Sequence, residues 1–159
     1  MANFVKYLSV LFVLLACNNL QAQNTKPAAS KTFQKFTPPK LTTKLGIRYD
    51  SAVVAKEEAI QLVALPLKIT DDKKNNYSIS SYQLIYKRRA VTEDEETGKV
   101  TPVISNVSEL FKATPLPALW KNILIEQLKP GEELFFFDII VKDAQGRIMY
   151  APTLRIKVK

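Results

Sequence analysis

The chain has 159 residues, a formal net charge of +8 at pH 7, a single cysteine and no histidine. These counts exclude a disulfide within one chain, Ser-His-Asp and Cys-His catalysis, and any zinc site that needs histidine or cysteine ligands. General acid–base chemistry would fall to carboxylates, lysine or tyrosine. A basic surface suits anionic partners such as lipid headgroups, cell-wall polymer or acidic protein patches, and it also serves solubility.

The N-terminus has the pattern of an export signal. Lys6 supplies a positive charge before the apolar stretch 7–16, and small or polar residues follow it. The stretch is shorter than a membrane-spanning helix, which takes about 20 apolar residues. We therefore predict a signal peptide over residues 1–22 and a protein of the periplasm or cell envelope, a compartment that argues against a nucleic-acid partner.

Two cleavage sites compete in this leader. Residues 14–17 read Leu-Leu-Ala-Cys, the form of a lipobox, in which Cys17 becomes the lipidated first residue. Acyl chains on Cys17 would tether the protein to a membrane, as in an outer-membrane lipoprotein. The alternative is cleavage by an ordinary signal peptidase after Ala22, although Leu20 is larger than the usual residue at the −3 position. In that case Cys17 is discarded with the leader.

Residues 23–46 have the composition of a linker. They contain three prolines, five lysines and no acidic residue. Such a segment buries too little apolar surface to offset its ordering entropy. We predict a disordered spacer, either solvated or lying with its lysines against an anionic surface. One folded domain is predicted over residues 47–159, a length that supports a single hydrophobic core.

The first half of this domain is predicted to consist of strands. Alternation over residues 65–69 indicates a strand with Pro66 on its edge, because proline cannot donate to a strand ladder. Residues 77–88 indicate a second strand with a bulge near residues 80–81. Residues 100–107 indicate a third. One face of the second strand carries Tyr82, Leu84 and Tyr86.

Charged residues flank the turn between the second and third strands. Glu93, Asp94, Glu95 and Glu96 offer oxygen ligands that suit calcium, but their spacing lacks the alternating ligands and the central glycine of an EF-hand. We interpret them as a solvated hairpin tip. A basic cluster before the tip is a candidate surface for an anionic partner, with a charged strand end as the alternative. Its members are Lys87, Arg88 and Arg89.

One amphipathic helix is predicted over residues 117–129, because apolar residues recur at helical spacing and Pro130-Gly131 stops the pattern. Its apolar stripe consists of Leu116, Leu119, Trp120, Ile123, Leu124 and Leu128. Residues 134–142 indicate a strand, and residues 148–158 a hairpin partner that follows a turn at Gly146. The buried face predicted for the strand over 134–142 is Phe135, Phe137, Ile139 and Val141.

No catalytic, cofactor-binding or metal-binding residue is predicted. Asp138 lies in an apolar strand without an identifiable second carboxylate, so we interpret it as an edge position or as a residue hydrogen-bonded to a turn. Trp120, Phe135 and Phe137 either line a ligand pocket or belong to the core, and such periodic stripes are usually core. A module that binds cell-wall polymer or glycan would instead present a stripe of exposed aromatic residues, formed by Tyr49, Tyr86 and Tyr150.

The C-terminal part of the chain resembles a known family. Residues 125–132 read Ile-Glu-Gln-Leu-Lys-Pro-Gly-Glu and lead into a strand that contains Asp138-Ile139. A turn at Gly146 and a closing Pro-x-Leu-x-Ile strand over 152–156 follow in the same order and spacing as in the C-terminal domain of GldM (PorM), a protein of gliding motility and type IX secretion. Residues 77–82 also resemble an earlier strand of that domain, so that the resemblance covers about half of the chain.

The resemblance implies a bacterium of the Bacteroidetes group, an immunoglobulin-like β-sandwich, and contacts with envelope proteins without catalysis or cofactor. The GldM proteins also have an inner-membrane helix, a long coiled region and several periplasmic domains, none of which is recognisable in this sequence. The expectation is therefore a free-standing relative, accessory to the secretion machinery rather than its motor shaft.

Overall fold

The computed structural model describes residues 36–159. The predicted signal peptide, Cys17 and the first part of the predicted spacer lie outside the described residues. Residues Thr37–Lys159 form one compact unit. Within the described part of the chain, no helix has the length and apolar character needed to cross a membrane.

The compact unit is mostly β, as predicted, and contains two helices where the sequence analysis predicted one. In chain order, its elements are β1 (Leu41–Leu45), β2 (Arg48–Tyr49), β3 (Ser51–Val54), α1 (Lys56–Ala64), β4 (Leu67–Asp71), β5 (Asn76–Glu93), β6 (Val100–Phe111), α2 (Ala118–Gln127), β7 (Glu133–Lys142), β8 (Ile148–Ala151) and β9 (Leu154–Val158).

The strands form one sheet that approaches a barrel. Its main order is β2-β1-β4-β5-β7-β9-β3, with β6 paired to β5 and β8 paired to β7. The described ladders are antiparallel, apart from the parallel pair of β3 and β9. β5 and β7 are the two central strands, because each pairs with three others: β5 with β4, β6 and β7, and β7 with β5, β8 and β9.

The linker prediction is wrong over its last part. Residues 41–45 form β1, in which Leu41, Thr43 and Leu45 are buried and alternate with half-buried neighbours. This short alternation was obscured by the prolines and lysines around it. The Thr43 hydroxyl also donates a hydrogen bond of 2.6 Å to the carbonyl of Pro152, so a polar residue of a linker-like composition has a definite place in the fold.

The two helices cover the core. α2 confirms the predicted helix at nearly the predicted bounds, and Trp120, Leu124 and Leu128 of its stripe are buried. Leu119, predicted on the same stripe, is 69% exposed, so that part of the prediction is wrong. The buried residues are spaced four apart and form a single row along the helix, and Leu119 lies beside this row. α1 precedes Pro66 and buries Ala59, Leu62 and Val63. We did not predict it, because Pro66 is a helix breaker, but the helix ends at Ala64, before the proline can interrupt it.

Two bulges change which side chains of the central strands reach the core. In β5, residues 79 and 81 pair with adjacent residues of β7, so Ser80 is extra, as predicted. Phe137 and Ile140 are three positions apart on β7, but their partners on β5 are only two apart. β7 therefore carries one extra residue between them. Asp138 lies there with φ of +46°, in the left-handed region.

The bulge in β7 reverses the alternation of its side chains. Leu134 and Phe136 are buried before it, and Ile139 and Val141 are buried after it. The prediction that Phe135 and Phe137 lie in the core is therefore wrong, because it assumed an unbroken two-residue period. Both rings lie on the outer face of the sheet, stacked with 5.4 Å between their centroids.

Candidate interaction surface

A two-stranded arm projects from the sheet. β5 pairs with β7 only as far as the Lys87–Glu133 position, whereas its pairing with β6 continues to Glu93–Val100. Residues 88–105, which we call the arm, are the part of this hairpin beyond β7. Six residues of each strand extend about 20 Å at roughly 3.4 Å per residue. Both strands are longer than predicted, which is why the arm was not foreseen.

The register assigns each side chain of the arm to a face. The pairing of β5 with β6 has no shift from Tyr82–Phe111 to Glu93–Val100. Because Tyr82, Leu84 and Tyr86 are buried, the even-numbered residues of β5 continue the inner face. The outer face of the arm therefore carries Arg89, Val91 and Glu93 from β5, opposite Ile104, Pro102 and Val100 from β6, respectively.

This outer face is apolar in its centre and charged at its ends. Val91 is 67% exposed and Ile104 73% exposed, and Val100 is exposed beside them. Arg89 and Glu93 flank this patch on the same strand, and neither side chain forms an ion pair with any residue between 36 and 159. A groove of about 800 Å³ adjoins the patch, with Lys129 among its lining residues. Large apolar side chains exposed together are typical of a surface that contacts another macromolecule.

The predicted basic cluster is divided between the two faces. Lys87 donates a hydrogen bond of 2.9 Å to Glu133 and lies 5.5 Å from the centroid of the Phe135 ring. Arg88 lies over the Tyr86 ring, at 5.8 Å. Arg89 is the exposed member on the outer face of the arm. The three cations do not converge on one site, so only Arg89 remains available on the exposed apolar face.

A buried carboxylate fixes the base of the arm. Glu132 accepts hydrogen bonds from the hydroxyl of Tyr86, from the backbone N–H of Arg89 at 3.0 Å and from the backbone N–H of Lys129 at 2.9 Å. Burial, followed by the hydrogen bond to this carboxylate, raises the pKa of Tyr86 well above its ordinary value of 10. The sequence analysis missed Glu132, because its only signal is an acid directly after a Pro-Gly turn.

The same turn positions Arg89. Gly131 has φ of +86° and lies against the Arg89 guanidinium, where the Cβ of any other residue would collide with it. The backbone N–H of Gly131 donates a hydrogen bond of 2.8 Å to the carbonyl of Val158. This bond ties the turn before β7 to β9, and the guanidinium of Arg89 lies at the surface beside that turn.

The acidic tip is organised as a turn. Oδ1 of Asp94 accepts hydrogen bonds from the hydroxyl of Thr97 at 2.7 Å and from the backbone N–H groups of Thr97 and Glu96. The Thr97 hydroxyl, with these backbone donors, lowers the pKa of Asp94 below its ordinary value. Among the described residues, no three acidic, histidine or cysteine side chains cluster so as to hold a metal ion. The carboxylate of Asp94 shapes the turn.

Asp138 has a structural environment. Its carboxylate accepts a hydrogen bond of 3.0 Å from the side-chain amide of Gln83 on the neighbouring strand. This pair bridges β5 and β7 at the bulge. The carboxylate is hydrogen-bonded, but its partner lies on a neighbouring strand and not in a turn, and β7 is not an edge strand, so the interpretation of Asp138 is wrong in both of its forms.

The aromatic residues that could have lined one pocket lie on different sides of the sheet. Trp120 is buried on the inner side, edge-on to Phe111 with 5.6 Å between centroids, and its indole N–H donates to Glu109. Phe135 and Phe137 face outward, with Arg155 placed 4.9 Å from the centre of the Phe135 ring. The pocket hypothesis for these three residues is wrong, because the sheet separates them.

No protein-family model matches the chain, and no curated protein matches it.

Proposed function

We propose that this chain is a non-enzymatic protein of the cell envelope whose β-rich domain makes protein–protein contacts through the arm. The observation that carries the proposal is the outer face of the arm, where Val91, Val100 and Ile104 are exposed side by side. Exposed apolar side chains on a projecting hairpin are costly in water unless a partner covers them. Polar contacts at the rim would fix the orientation of that partner.

The proposal extends to the class of the domain and its setting. We infer an immunoglobulin-like β-sandwich related to the C-terminal domain of GldM, supported by the mainly antiparallel sheet and by the Pro-Gly, Gly146 and 152–156 pattern. Export by the N-terminal signal, with a membrane tether through Cys17, would place the domain among envelope proteins. An accessory role in gliding motility or type IX secretion follows from the resemblance.

The polymer-binding alternative has weaker support. It needs a stripe of exposed aromatic side chains, and Tyr86, the middle residue of the predicted stripe, is 1% exposed and hydrogen-bonded to Glu132. Tyr49 and Tyr150 are exposed, but they lie on β2 and β8, which are not neighbours in the sheet. Binding to peptidoglycan is therefore an outcome of the test rather than a second proposal.

The test compares two matched variants in living cells. Ile104→Asp places a charge in the arm patch, and Ile148→Asp places the same charge at a similarly exposed isoleucine on β8. After cross-linking of intact envelopes, we expect defined envelope proteins to be recovered with the wild type and with Ile148→Asp, and at least about tenfold less with Ile104→Asp. Equal recovery with all three proteins would overturn the role of the arm, as would tight binding of the purified protein to peptidoglycan sacculi.

A deletion strain tests the link to secretion. Loss of type IX secretion, restored by the wild-type gene and not by the Ile104→Asp variant, is the expected result. Normal secretion without the gene would remove the accessory role and leave the contact surface to be explained by another envelope partner.

A further inference from the structure

The outer face of the arm is complementary to itself. Arg89 and Glu93 lie on β5 at equal distances on either side of Val91, and the residues opposite them on β6 are Ile104 and Val100, on either side of Pro102. Turning this face by 180° about an axis through Val91 and Pro102, perpendicular to the strands, exchanges the cation with the anion and one aliphatic residue with the other. A two-fold interface requires such a surface, since each residue meets its counterpart twice.

We propose that the partner of the arm is a second copy of this chain, packed face to face and antiparallel across the Val91–Pro102 position. This inference rests on the proposed function, because it names the occupant of the same surface. In the dimer, Arg89 of each copy pairs with Glu93 of the other, Ile104 packs on Val100, and Val91 and Pro102 meet their own copies at the axis.

The dimensions permit this packing. Sheets that pack face to face lie about 10 Å apart, a gap that an arginine and a glutamate side chain span when they extend toward each other. Within one arm the same two residues are four positions apart on a strand, about 13 Å, which is too far for a direct ion pair. An ion pair between Arg89 and Glu93 can therefore form between two copies of the arm but not within one.

Two observations favour the outer face over other modes of self-association. The inner face of the arm carries Arg88, Ala90 and Thr92 opposite Ser105, Val103 and Thr101, which are smaller or more polar side chains. Pairing along the free edge of β6 would lose a hydrogen bond at Pro102, which has no N–H, and proline on an edge strand opposes such pairing. The aliphatic and charged groups that match each other lie on the outer face.

A second copy packed on the outer face would also stabilise the arm. Beyond β7 it consists of two strands only, and an isolated two-stranded hairpin is marginally stable in water. A second arm would supply the missing apolar layer. The area involved is small for a protein interface, so the dimer is expected to be weak and to form at high local concentration, as on a membrane surface.

The experiment uses charge exchange in the purified protein. Arg89→Glu and Glu93→Arg each place like charges together in the proposed dimer, and each should raise the dissociation constant measured by sedimentation equilibrium at least about tenfold. Mixing the two variants in equal amounts restores both Arg–Glu contacts in a mixed dimer, so the mixture should associate within about threefold of the wild type. Raising sodium chloride to about 0.5 M should weaken the wild-type dimer, because salt screens the exposed charges.

Matched controls separate this effect from a change in net charge. Glu95→Arg changes an acid in the tip turn, and Lys112→Glu changes a cation just after β6; both residues are exposed and lie outside the proposed contact. Both variants should dimerise as the wild type does. Far-ultraviolet circular dichroism and thermal unfolding show that each variant is folded, and the restored mixture is an independent check, since two misfolded variants would not restore association.

Three results would overturn the inference. They are a wild type that is monomeric up to about 1 mM, single variants that dimerise normally, and a mixture that stays monomeric although both variants are folded. None of these results would contradict the proposed function. If the arm binds a different envelope protein, Ile104→Asp would still reduce the recovery of that protein in the cross-linking experiment. Loss of that cross-linking effect alone, with an intact dimer, would contradict the envelope role and leave the dimer in place.

Discussion

The hydroxyl of Tyr86 donates a hydrogen bond to the carboxylate of Glu132, and both side chains are almost completely buried. The same carboxylate accepts the backbone N–H groups of Arg89 and Lys129, so one acid joins β5 to the turn before β7. Burying a carboxylate is costly unless hydrogen bonds satisfy it. Here the bonds hold the base of the arm against the rest of the domain.

Glu132→Ala should destabilise the domain more than any surface substitution. The change leaves a buried hydroxyl and two backbone N–H groups without their acceptor, and we expect a loss of about 2–4 kcal/mol in the free energy of unfolding. Glu132→Gln keeps one acceptor oxygen and should cost less. Urea unfolding measures the difference, with the exposed Glu126→Ala as the control. A Glu132→Ala protein as stable as that control would show that the hydrogen bonds at the base of the arm contribute nothing to stability.

Alkaline stability should report on Tyr82. Burial raises the pKa of Tyr82 to about 12, whereas an unfolded tyrosine titrates near 10. Between these values the unfolded state has released the phenolic proton and the folded state still holds it. The free energy of unfolding therefore falls as pH rises from about 10 to 12, by up to about 1.4 kcal/mol per pH unit from this residue.

The comparison that isolates this contribution is with Tyr82→Phe. Its free energy of unfolding should decline less steeply between pH 10 and 12 than that of the wild type, even though the variant loses the hydrogen bond to the carbonyl of Ala113. Tyr150→Phe, at an exposed position, controls for the removal of a hydroxyl group. Identical slopes for the wild type and Tyr82→Phe would mean that the Tyr82 phenol does not resist ionisation in the folded state.

The elements with strong local signals could be predicted from the sequence. The strand with Tyr82, Leu84 and Tyr86 and the helix ended by Pro130-Gly131 follow from periodicity and from helix-stop chemistry. β1 and α1 could not be predicted with the same rules. Each spans only about two and a half periods, and β1 lies among prolines and lysines while α1 lies just before Pro66, so the local signal of each competes with residues typical of a linker or a helix break.

The candidate surface could be predicted from the sequence only in part. Lys87, Arg88 and Arg89 were recognised as a charged group, but the sequence does not show that β7 begins only at Glu133, opposite Lys87. It is this boundary that leaves the arm exposed. Glu132 was missed for a related reason, because the burial of an acid depends on which donors the fold brings to it. Where a strand ends and which polar groups are buried depend on tertiary contacts, and the local sequence gives almost no signal for either.

Trp120→Ala should unfold the domain or come close to doing so. The indole packs edge-on against Phe111 and donates a hydrogen bond to Glu109, and its removal leaves a large cavity between α2 and the sheet. We expect a loss of about 3–5 kcal/mol in the free energy of unfolding. Leu119→Ala is the matched control on the same helix, because Leu119 is exposed, and it should change stability by less than about 1 kcal/mol. A stable Trp120→Ala protein would contradict the place of Trp120 in the core.

The bulge at Asp138 can be tested through its backbone conformation. A φ of +46° is tolerated by glycine, asparagine and aspartate and opposed by β-branched side chains. Asp138→Val should therefore lose about 1–3 kcal/mol of unfolding free energy, although valine is favoured in regular strands. Asp138→Asn keeps an acceptor for Gln83 and should remain within about 0.5 kcal/mol of the wild type. If Asp138→Val were instead as stable as Asp138→Asn, β7 would not need the bulge, and the outward position of Phe135 and Phe137 would lose its explanation.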